Sequence, residues 1–284
     1  MLSTIASIQM CSSTSIDENL KQAQLLILQA KSKQAQLVVL PEMFAIMGHS
    51  GLDKVWEKER FGLGKIQSFL SDQARKNQLW IVGGSIPLAC DDENKVRAST
   101  LVFNAEGVCV ARYDKIHLFD VVISDTEGYQ ESETTEPGNN VCIVDSPFGR
   151  IGLAICYDIR FPELFRYMFN QGVEILIVPA AFTQTTGEAH WEILAKSRAI
   201  ENFCYFIGSC QGGTHSNGRT TYGHSLIIDP WGTILAKKET LDPGFICATI
   251  DLKKTHALRN SIPVQAHQRI FFDVSQMGWI KWKE

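Results

Sequence analysis

The stretch IGLAICYDIRFPEL, residues 151–164, predicts a strand, a tight turn and a helix in succession. The apolar run IGLAI indicates a buried strand that ends at Cys156. Pro162 suits the first turn of a helix, because its fixed φ and missing N–H are tolerated there. A cysteine at such a turn would meet backbone N–H groups that favour its thiolate. Since a cysteine after a strand is more often a buried structural residue, Cys156 is a candidate nucleophile that needs support from elsewhere.

Strand and helix patterns alternate on both sides of this stretch. Strands are predicted at residues 4–10, 37–40, 79–84, 100–104, 108–113, 141–145, 151–155, 175–179, 204–210, 226–229, 234–237 and 245–251. Helices are predicted at residues 16–33, 66–77, 161–171 and 190–202, with a polar helix and an aromatic tail after the last strand. This alternation is typical of an α/β layered fold, and the hairpins indicate mixed sheets. No repeat or linker divides the chain, so we expect one domain over residues 1–284. Residues 45–58 and 121–139 are expected to be long, functional loops.

Composition narrows the class of protein. The chain has 284 residues, 45% of them hydrophobic, which is ample for a large core, and a net charge of −4, which argues against a nucleic-acid binder. No apolar run is long enough to span a bilayer, and the N-terminus lacks a secretory pattern, so we expect a cytoplasmic protein without a membrane partner. The eight cysteines show no CxxC spacing, which argues against a metal site and, in this context, against a disulfide framework.

Two charged residues follow predicted strands and join Cys156 as candidates. Glu42 comes after VVLP, where a carboxylate among apolar neighbours would be partly desolvated and suited to acid/base work. Lys115 follows residues 108–113, and an ammonium beside a thiolate can stabilise both the thiolate and an oxyanion. The alternatives are an exposed loop glutamate and a solvated surface lysine.

Taken together, LPEMF, YDKIHLFD and GLAICYDIRFPEL resemble the Glu-Lys-Cys blocks of the nitrilase superfamily of carbon-nitrogen hydrolases. The resemblance extends to PAAFTQTTGEAHWEILAKSRAIEN and YGHSLIIDPWG, and so spans nearly the whole chain. It implies a four-layer α-β-β-α sandwich with two mixed β-sheets, no metal and no cofactor. It also implies amide hydrolysis through a cysteinyl thioester. Cys156 would then be the nucleophile, Glu42 the acid and base, and Lys115 with the Tyr157 N–H the oxyanion donors.

Within the superfamily the chain resembles the Nit branch, and in it the deaminated glutathione amidases more than the ω-amidases. This likeness implies a small amide substrate whose acyl half carries a 2-oxo carboxylate. Further site residues follow by position: Glu131 to orient Lys115 or water, Arg160 to bind the carboxylate, and Phe182 and Thr186 to form the pocket wall. The alternatives are a surface acid for Glu131, an ion pair with Asp158 or Glu163 for Arg160, and packing or turn roles for the last two. His117, His190 and His224 are expected to be structural.

Three other functions stay open. An ω-amidase acting on 2-oxoglutaramate or 2-oxosuccinamate would use the same chemistry on a smaller leaving group. Another branch, such as a carbamoylase or nitrilase, fits the quoted blocks less well. A catalytically silent scaffold is the third alternative, but such a protein would have no chemical need for Glu42, Lys115 and Cys156 together.

The apolar residues of the tail, residues 270–282, suggest packing on the chain itself or across a subunit boundary, and the family implies a homodimer.

Overall fold

The computed structural model describes residues 2–125, 127–270 and 278–282. The strands are β1 Leu2–Gln9, β2 Leu37–Val39, β3 Trp80–Val82, β4 Ile86–Ala89, β5 Val96–Phe103, β6 Cys109–Asp114, β7 Asp120–Ser124, β8 Glu127–Gln130, β9 Asn140–Ser146, β10 Gly149–Leu153, β11 Ile175–Ala180, β12 Tyr205–Cys210, β13 Gly212–Thr214, β14 Thr220–Tyr222, β15 Leu226–Ile228, β16 Ile234–Lys237, β17 Gly244–Asp251 and β18 Gly278–Trp282. The α-helices are α1 Ile16–Ser32, α2 Gly51–Trp56, α3 Lys65–Asn77, α4 Pro162–Asn170, α5 Gln184–Asn202, α6 Leu252–Ser261 and α7 Val264–His267. Short 3₁₀ helices cover Glu131–Glu133 and Cys156–Arg160.

Two seven-stranded mixed sheets face each other. The first has the order β17-β1-β2-β3-β5-β4, with β6 also paired to β5, and the second has the order β16-β15-β12-β11-β10-β9-β18. Strands β1, β2 and β3 run parallel to one another, as do β10, β11 and β12, whereas the hairpin partners run antiparallel. With helices on the outer faces, the arrangement is the expected four-layer α-β-β-α sandwich.

Strand β1 illustrates how the layers are held. Its alternate residues point to opposite faces, so Ser7 meets the second sheet and donates a hydrogen bond of 2.8 Å to the Gly208 carbonyl of β12. Ile8, on the other face, packs in one cluster with the apolar stripe of α1, including Leu20 and Ile27. Each large side chain buried in this way contributes roughly 1.5–3 kcal/mol, which makes the helix layer an integral part of the core.

The two stretches that we expected to be irregular contain regular structure. Helix α2 lies within residues 45–58, and the strands β7 and β8, which begin at Asp120 and end at Gln130, overlap the first half of residues 121–139. Six helical residues are too few to give a periodic signal, and the hairpin is largely exposed, with Val122 at 87%. Helix α5 also begins at Gln184, six residues before the predicted start, because Thr183 caps it by accepting the Thr186 N–H.

The backbone of β18 lies parallel to β9 of the same chain, with Gly278 opposite Asn140 and Trp282 opposite Val144. The proposed packing of Phe271, Phe272 and Met277 lies outside the described residues. Among the described residues, no helix is long and apolar enough to cross a bilayer.

Candidate active site

Four strands lead into the candidate site, and three of them are followed by the candidate residues Glu42, Lys115 and Cys156. Glu42 follows β2, Lys115 follows β6, Cys156 follows β10, and Ala181 follows β11. The side chains of the first three are nearly inaccessible to solvent, with residue exposures of 3% for Glu42, 2% for Lys115 and 7% for Cys156. The exposed-loop alternative for Glu42 and the surface alternative for Lys115 are therefore wrong.

Cys156 occupies a tight turn between β10 and α4. Its φ of 45° lies in the left-handed region, which a side-chain-bearing residue adopts only when its surroundings enforce it. The enforcing group is the buried carboxylate of Asp158, which accepts hydrogen bonds from the Ile155 N–H at 2.8 Å and the Tyr113 hydroxyl at 2.7 Å. The strand-turn-helix prediction for this stretch is confirmed, with Pro162 at the first position of α4.

The Glu42 segment is fixed from both sides. The Glu42 carbonyl accepts a 2.9 Å hydrogen bond from the side-chain amide of Gln211, and the Met43 N–H donates 2.9 Å to the Ser85 hydroxyl. Gly84, with φ of 56°, lies against this turn, and a Cβ there would come within 2.0 Å of the Pro41 carbonyl oxygen. This close approach requires glycine, and it holds the Glu42 backbone in place.

Lys115 links two carboxylates. Its Nζ lies 2.9 Å from Glu42 Oε1 and 2.8 Å from Glu131 Oε2, and Glu131 also accepts the Phe119 N–H at 2.8 Å. Burial by itself lowers the pKa of Lys115, but attraction to Glu131 and Glu42 outweighs it and holds that pKa well above its ordinary value. Burial acts to raise the pKa of Glu131, but attraction to the Lys115 ammonium outweighs burial, and the pKa of Glu131 is lowered. Lys115 is therefore held as a cation and Glu131 as an anion.

The thiol of Cys156 is controlled by the same charges. Burial raises the pKa of Cys156 well above its ordinary value, and the Glu42 carboxylate adds to this effect. Lys115 and a hydrogen bond from the backbone of Ala181 act in the opposite direction without reversing it. The resting sulfur is therefore a protonated thiol beside a carboxylate, which is the arrangement that transfers a proton when the sulfur attacks.

These residues line a cavity of about 790 Å³. Its wall includes Glu42, Lys115, Cys156 and Glu131, and also Tyr157, Phe182 and Thr186. The volume falls within the roughly 300–1,000 Å³ that is typical of small-molecule sites. Seven of the eight site residues predicted from the sequence thus meet at one cavity.

Arg160 is the eighth, and it is not part of the cavity wall. Its guanidinium lies 5.9 Å from the Tyr157 ring centroid and 5.6 Å from that of Phe182, and Nη2 is 3.3 Å from His190 Nδ1. The ion pair with Asp158 or Glu163 is not formed either, within the residues that the structure describes. The aromatic faces explain this placement, because a guanidinium stacks favourably on them.

The three histidines that we expected to be structural all make hydrogen bonds. His117 Nδ1 lies 2.7 Å from Asp158 Oδ1, and the His117 ring stacks on Phe161. His224 Nδ1 lies 3.1 Å from the Lys238 carbonyl, and His190 contacts Arg160.

Sequence reasoning missed two cations in the cavity wall, Lys54 on α2 and Arg219 between β13 and β14. Neither lies in a segment with a periodic pattern, and isolated lysines and arginines are common on surfaces, so no signal marked them. Over the described ranges, no group of His, Cys, Asp and Glu has an arrangement that would hold a metal ion.

The chain matches the family model described as carbon-nitrogen hydrolase over residues 4–260. It is 39% identical over 270 residues to the deaminated glutathione amidase of Yersinia enterocolitica, covering 93% of this chain and 92% of that protein. It is 37% identical over 266 residues to the omega-amidase NIT2 of Bos taurus, covering 93% and 94%. Saccharomyces cerevisiae Nit3, a solved structure from branch 10 of the nitrilase superfamily, superposes with a TM-score of 0.85 at 30% identity and 95% and 97% coverage. From the matched residues, the sandwich and this similarity, the chain belongs to the carbon-nitrogen hydrolase family of the nitrilase superfamily.

Proposed function

We propose that this protein is a thiol-dependent amidase that hydrolyses deaminated glutathione, 2-oxoglutaryl-Cys-Gly, to 2-oxoglutarate and Cys-Gly. The observation that carries the proposal is the buried Lys115 ammonium, paired with Glu42 and Glu131 beside the Cys156 thiol. The similarity to proteins named deaminated glutathione amidase supports this choice of substrate.

The first half of the reaction forms a thioester. As the Cys156 sulfur attacks the amide carbonyl, its proton passes to Glu42, and the C–S bond forms while the carbonyl becomes an oxyanion. Lys115 and the Tyr157 N–H stabilise this oxyanion, since both lie next to the attacking sulfur on the cavity wall. Glu42 then gives the proton to the departing nitrogen, the C–N bond breaks, and Cys-Gly leaves.

The second half restores the enzyme. Glu42 takes a proton from water, the resulting hydroxide attacks the thioester, and the thiolate leaves and recovers the proton. Glu131 stays ionised and holds Lys115 in position, because it accepts from both Lys115 and the Phe119 backbone.

The acyl half would lie against Tyr157, Phe182 and Thr186. We infer that Arg160 binds its 2-oxo carboxylate after the guanidinium rotates toward the cavity, past the two rings on which it rests. We also infer a single hydrolase domain over residues 1–284 that acts as a homodimer in the cytoplasm, without cofactor, nucleic acid or membrane partner.

The second candidate is an ω-amidase that releases ammonia from 2-oxoglutaramate, which the 37% identity to omega-amidase NIT2 favours. The cavity of about 790 Å³ favours the larger substrate, since ammonia as a leaving group would leave much of it unfilled.

The deciding experiment compares kcat/KM for 2-oxoglutaryl-Cys-Gly and 2-oxoglutaramate. We expect a higher value for the former, and complete loss of turnover on both in Cys156→Ala, whereas the control Cys90→Ala at a half-buried cysteine outside the cavity retains activity. A preference for 2-oxoglutaramate would favour the ω-amidase. Turnover by a folded Cys156→Ala protein would exclude the thioester route, and inactivity of the wild type on both amides would favour the scaffold.

A further inference from the structure

Two cations in the cavity wall have no ion-pair partner among the described residues. Lys54 lies on α2 and Arg219 lies in the turn between β13 and β14, and both are half-buried. Lys115, by contrast, is neutralised by Glu42 and Glu131. The remaining acid in the wall, Glu133, is exposed to solvent and forms no ion pair within the same part of the chain. Neither Lys54 nor Arg219 is therefore held in an ion pair by the described residues, although the Glu131 and Glu42 charges act on Lys54 at longer range.

Lys54 and Arg219 border the same short segment of the wall, Gly128 to Glu131. The Arg219 guanidinium lies 5.1 Å from the Tyr129 ring centroid, and the charge that acts most strongly on Lys54 is that of Glu131. The two supporting segments are tied together, because the Asn217 side-chain amide donates a 2.6 Å hydrogen bond to the Gly48 carbonyl. Both cations thus belong to one region of the cavity.

Arg219 is fixed close to the reacting sulfur. Its Nη2 donates a 2.9 Å hydrogen bond to the carbonyl of Ala181, the residue whose backbone also hydrogen-bonds to Cys156. Its Nε is buried and has no hydrogen-bond partner among the described residues. An anchored guanidinium with an unsatisfied donor is poised to accept an anion, since unpaired buried donors are costly.

The ammonium of Lys54 is also only partly stabilised by its surroundings. Burial lowers the pKa of its ammonium, because the cation has lost hydration, and the Glu131 charge offsets only part of this loss. A carboxylate bound in direct contact with Lys54 would offset more of this loss.

We propose that Lys54 and Arg219 form a subsite for the free carboxylate of the leaving amine, so that the enzyme prefers amides of carboxylate-bearing peptides to primary amides. The inference rests on the proposed function. The direction in which the amine half extends follows from the chemistry. The leaving nitrogen must face Glu42, which protonates it, and Lys54 is near enough to interact with the charges of Glu42 and Glu131. The amine half would therefore extend past Glu42 toward Lys54.

The test measures kcat/KM for three substrates: 2-oxoglutaryl-Cys-Gly, its C-terminal carboxamide and 2-oxoglutaramate. The wild type should prefer the free acid to the carboxamide by about ten-fold or more, as expected for a charge-assisted contact. Lys54→Met and Arg219→Gln should each reduce this ratio toward one, while Lys54→Arg retains it. Lys21→Met, the same change at an exposed lysine of α1, should leave the ratio unchanged. Because the ratio compares two substrates in one preparation, it does not depend on the fraction of folded protein.

Two outcomes would overturn the subsite. One is a wild type that hydrolyses the free acid and the carboxamide equally well. The other is an equal loss on all three substrates in Lys54→Met, which would place the two cations with the acyl half or with the catalytic charges. The proposed function would survive both results. A wild type inactive on all three amides would instead overturn the proposed function, and the subsite with it.

Discussion

The carboxylate of Glu131 lies 2.8 Å from the ammonium of Lys115, and both side chains are almost fully buried, with exposures of 12% and 2%. An ion pair so far from water is costly unless its remaining hydrogen-bonding positions are filled. Here the second Lys115 contact is Glu42, and Glu131 also accepts the Phe119 N–H. The arrangement fixes the lysine next to Cys156, which suggests that Glu131 acts by positioning Lys115.

Glu131→Gln should lower kcat by roughly ten- to a hundred-fold with a smaller change in KM, because a displaced Lys115 stabilises the oxyanion less well. Glu93→Gln, at an exposed acid outside the cavity wall, is the control and should remain near wild type. Steady-state kinetics on 2-oxoglutaryl-Cys-Gly gives both parameters. A kcat for Glu131→Gln equal to that of Glu93→Gln would show that Glu131 has no part in positioning.

The same ion pair predicts a pH dependence of stability. The pKa of Glu131 is lowered from an ordinary value of 4.5, so the folded state holds the ionised form more strongly than the unfolded state does. Its stabilising contribution is complete above pH 4.5 and is lost as pH falls through the lowered pKa. The difference in unfolding free energy between wild type and Glu131→Gln should therefore shrink as pH falls below 4.5. Denaturant titrations at several pH values measure it, and a constant difference would contradict the assigned charge state.

Lys115→Ala and Glu42→Gln should each lower kcat on the order of a hundred-fold or more, and much more than they raise KM. Their work is done in the transition state, where the oxyanion forms and the proton moves. Lys76→Ala, at an exposed lysine of α3, is the matched control. The two variants should differ in one respect. Because Glu42→Gln cannot activate water, any thioester that this variant forms should be hydrolysed more slowly. Intact-mass measurements can detect the thioester that persists. Near wild-type kcat in either variant would remove that residue from the mechanism.

The positions of Glu42, Lys115 and Cys156 could be predicted because each follows a predicted strand, and the resemblance to the nitrilase superfamily implied their roles. Strands β2, β6 and β10 were recognisable from short apolar runs. In layered α/β folds, ligand sites gather at the carboxyl ends of such strands. The fold class also followed from alternation, and the four-layer arrangement from the family resemblance. No pattern in the sequence, however, indicated that α2 would carry Lys54 into the same cavity as Arg219. That proximity depends on long-range packing, such as the contact between Asn217 and Gly48, for which local propensity carries no signal.

For Arg160, the motif position implied a carboxylate-binding role, but it did not indicate that the guanidinium would lie outside the cavity wall. Arg160→Lys should raise KM for 2-oxo acid amides by about ten-fold, because lysine keeps the charge but loses the planar fork that binds a carboxylate through two hydrogen bonds. A neutral amide without the terminal carboxylate should be affected much less. Arg75→Lys, at an exposed arginine of α3, serves as the control. An equal loss on charged and neutral amides would instead mean that Arg160 acts by supporting Tyr157 and Phe182.

The assembly can be tested at the C-terminal end of the chain. We expect the full-length protein to be a homodimer at micromolar concentration, and deletion of residues 271–284 to shift it to a monomer. The deletion removes β18, which adds a strand beside β9 at the edge of the second sheet. An edge strand is a natural place for two sandwiches to meet, so removing β18 would remove the surface through which the subunits pair. Light scattering with size-exclusion chromatography gives the mass, and a thermal melt of the truncated protein checks that it stays folded. A monomeric full-length protein would refute the homodimer, whereas a truncated protein that remains dimeric would show that the two subunits pair through another surface.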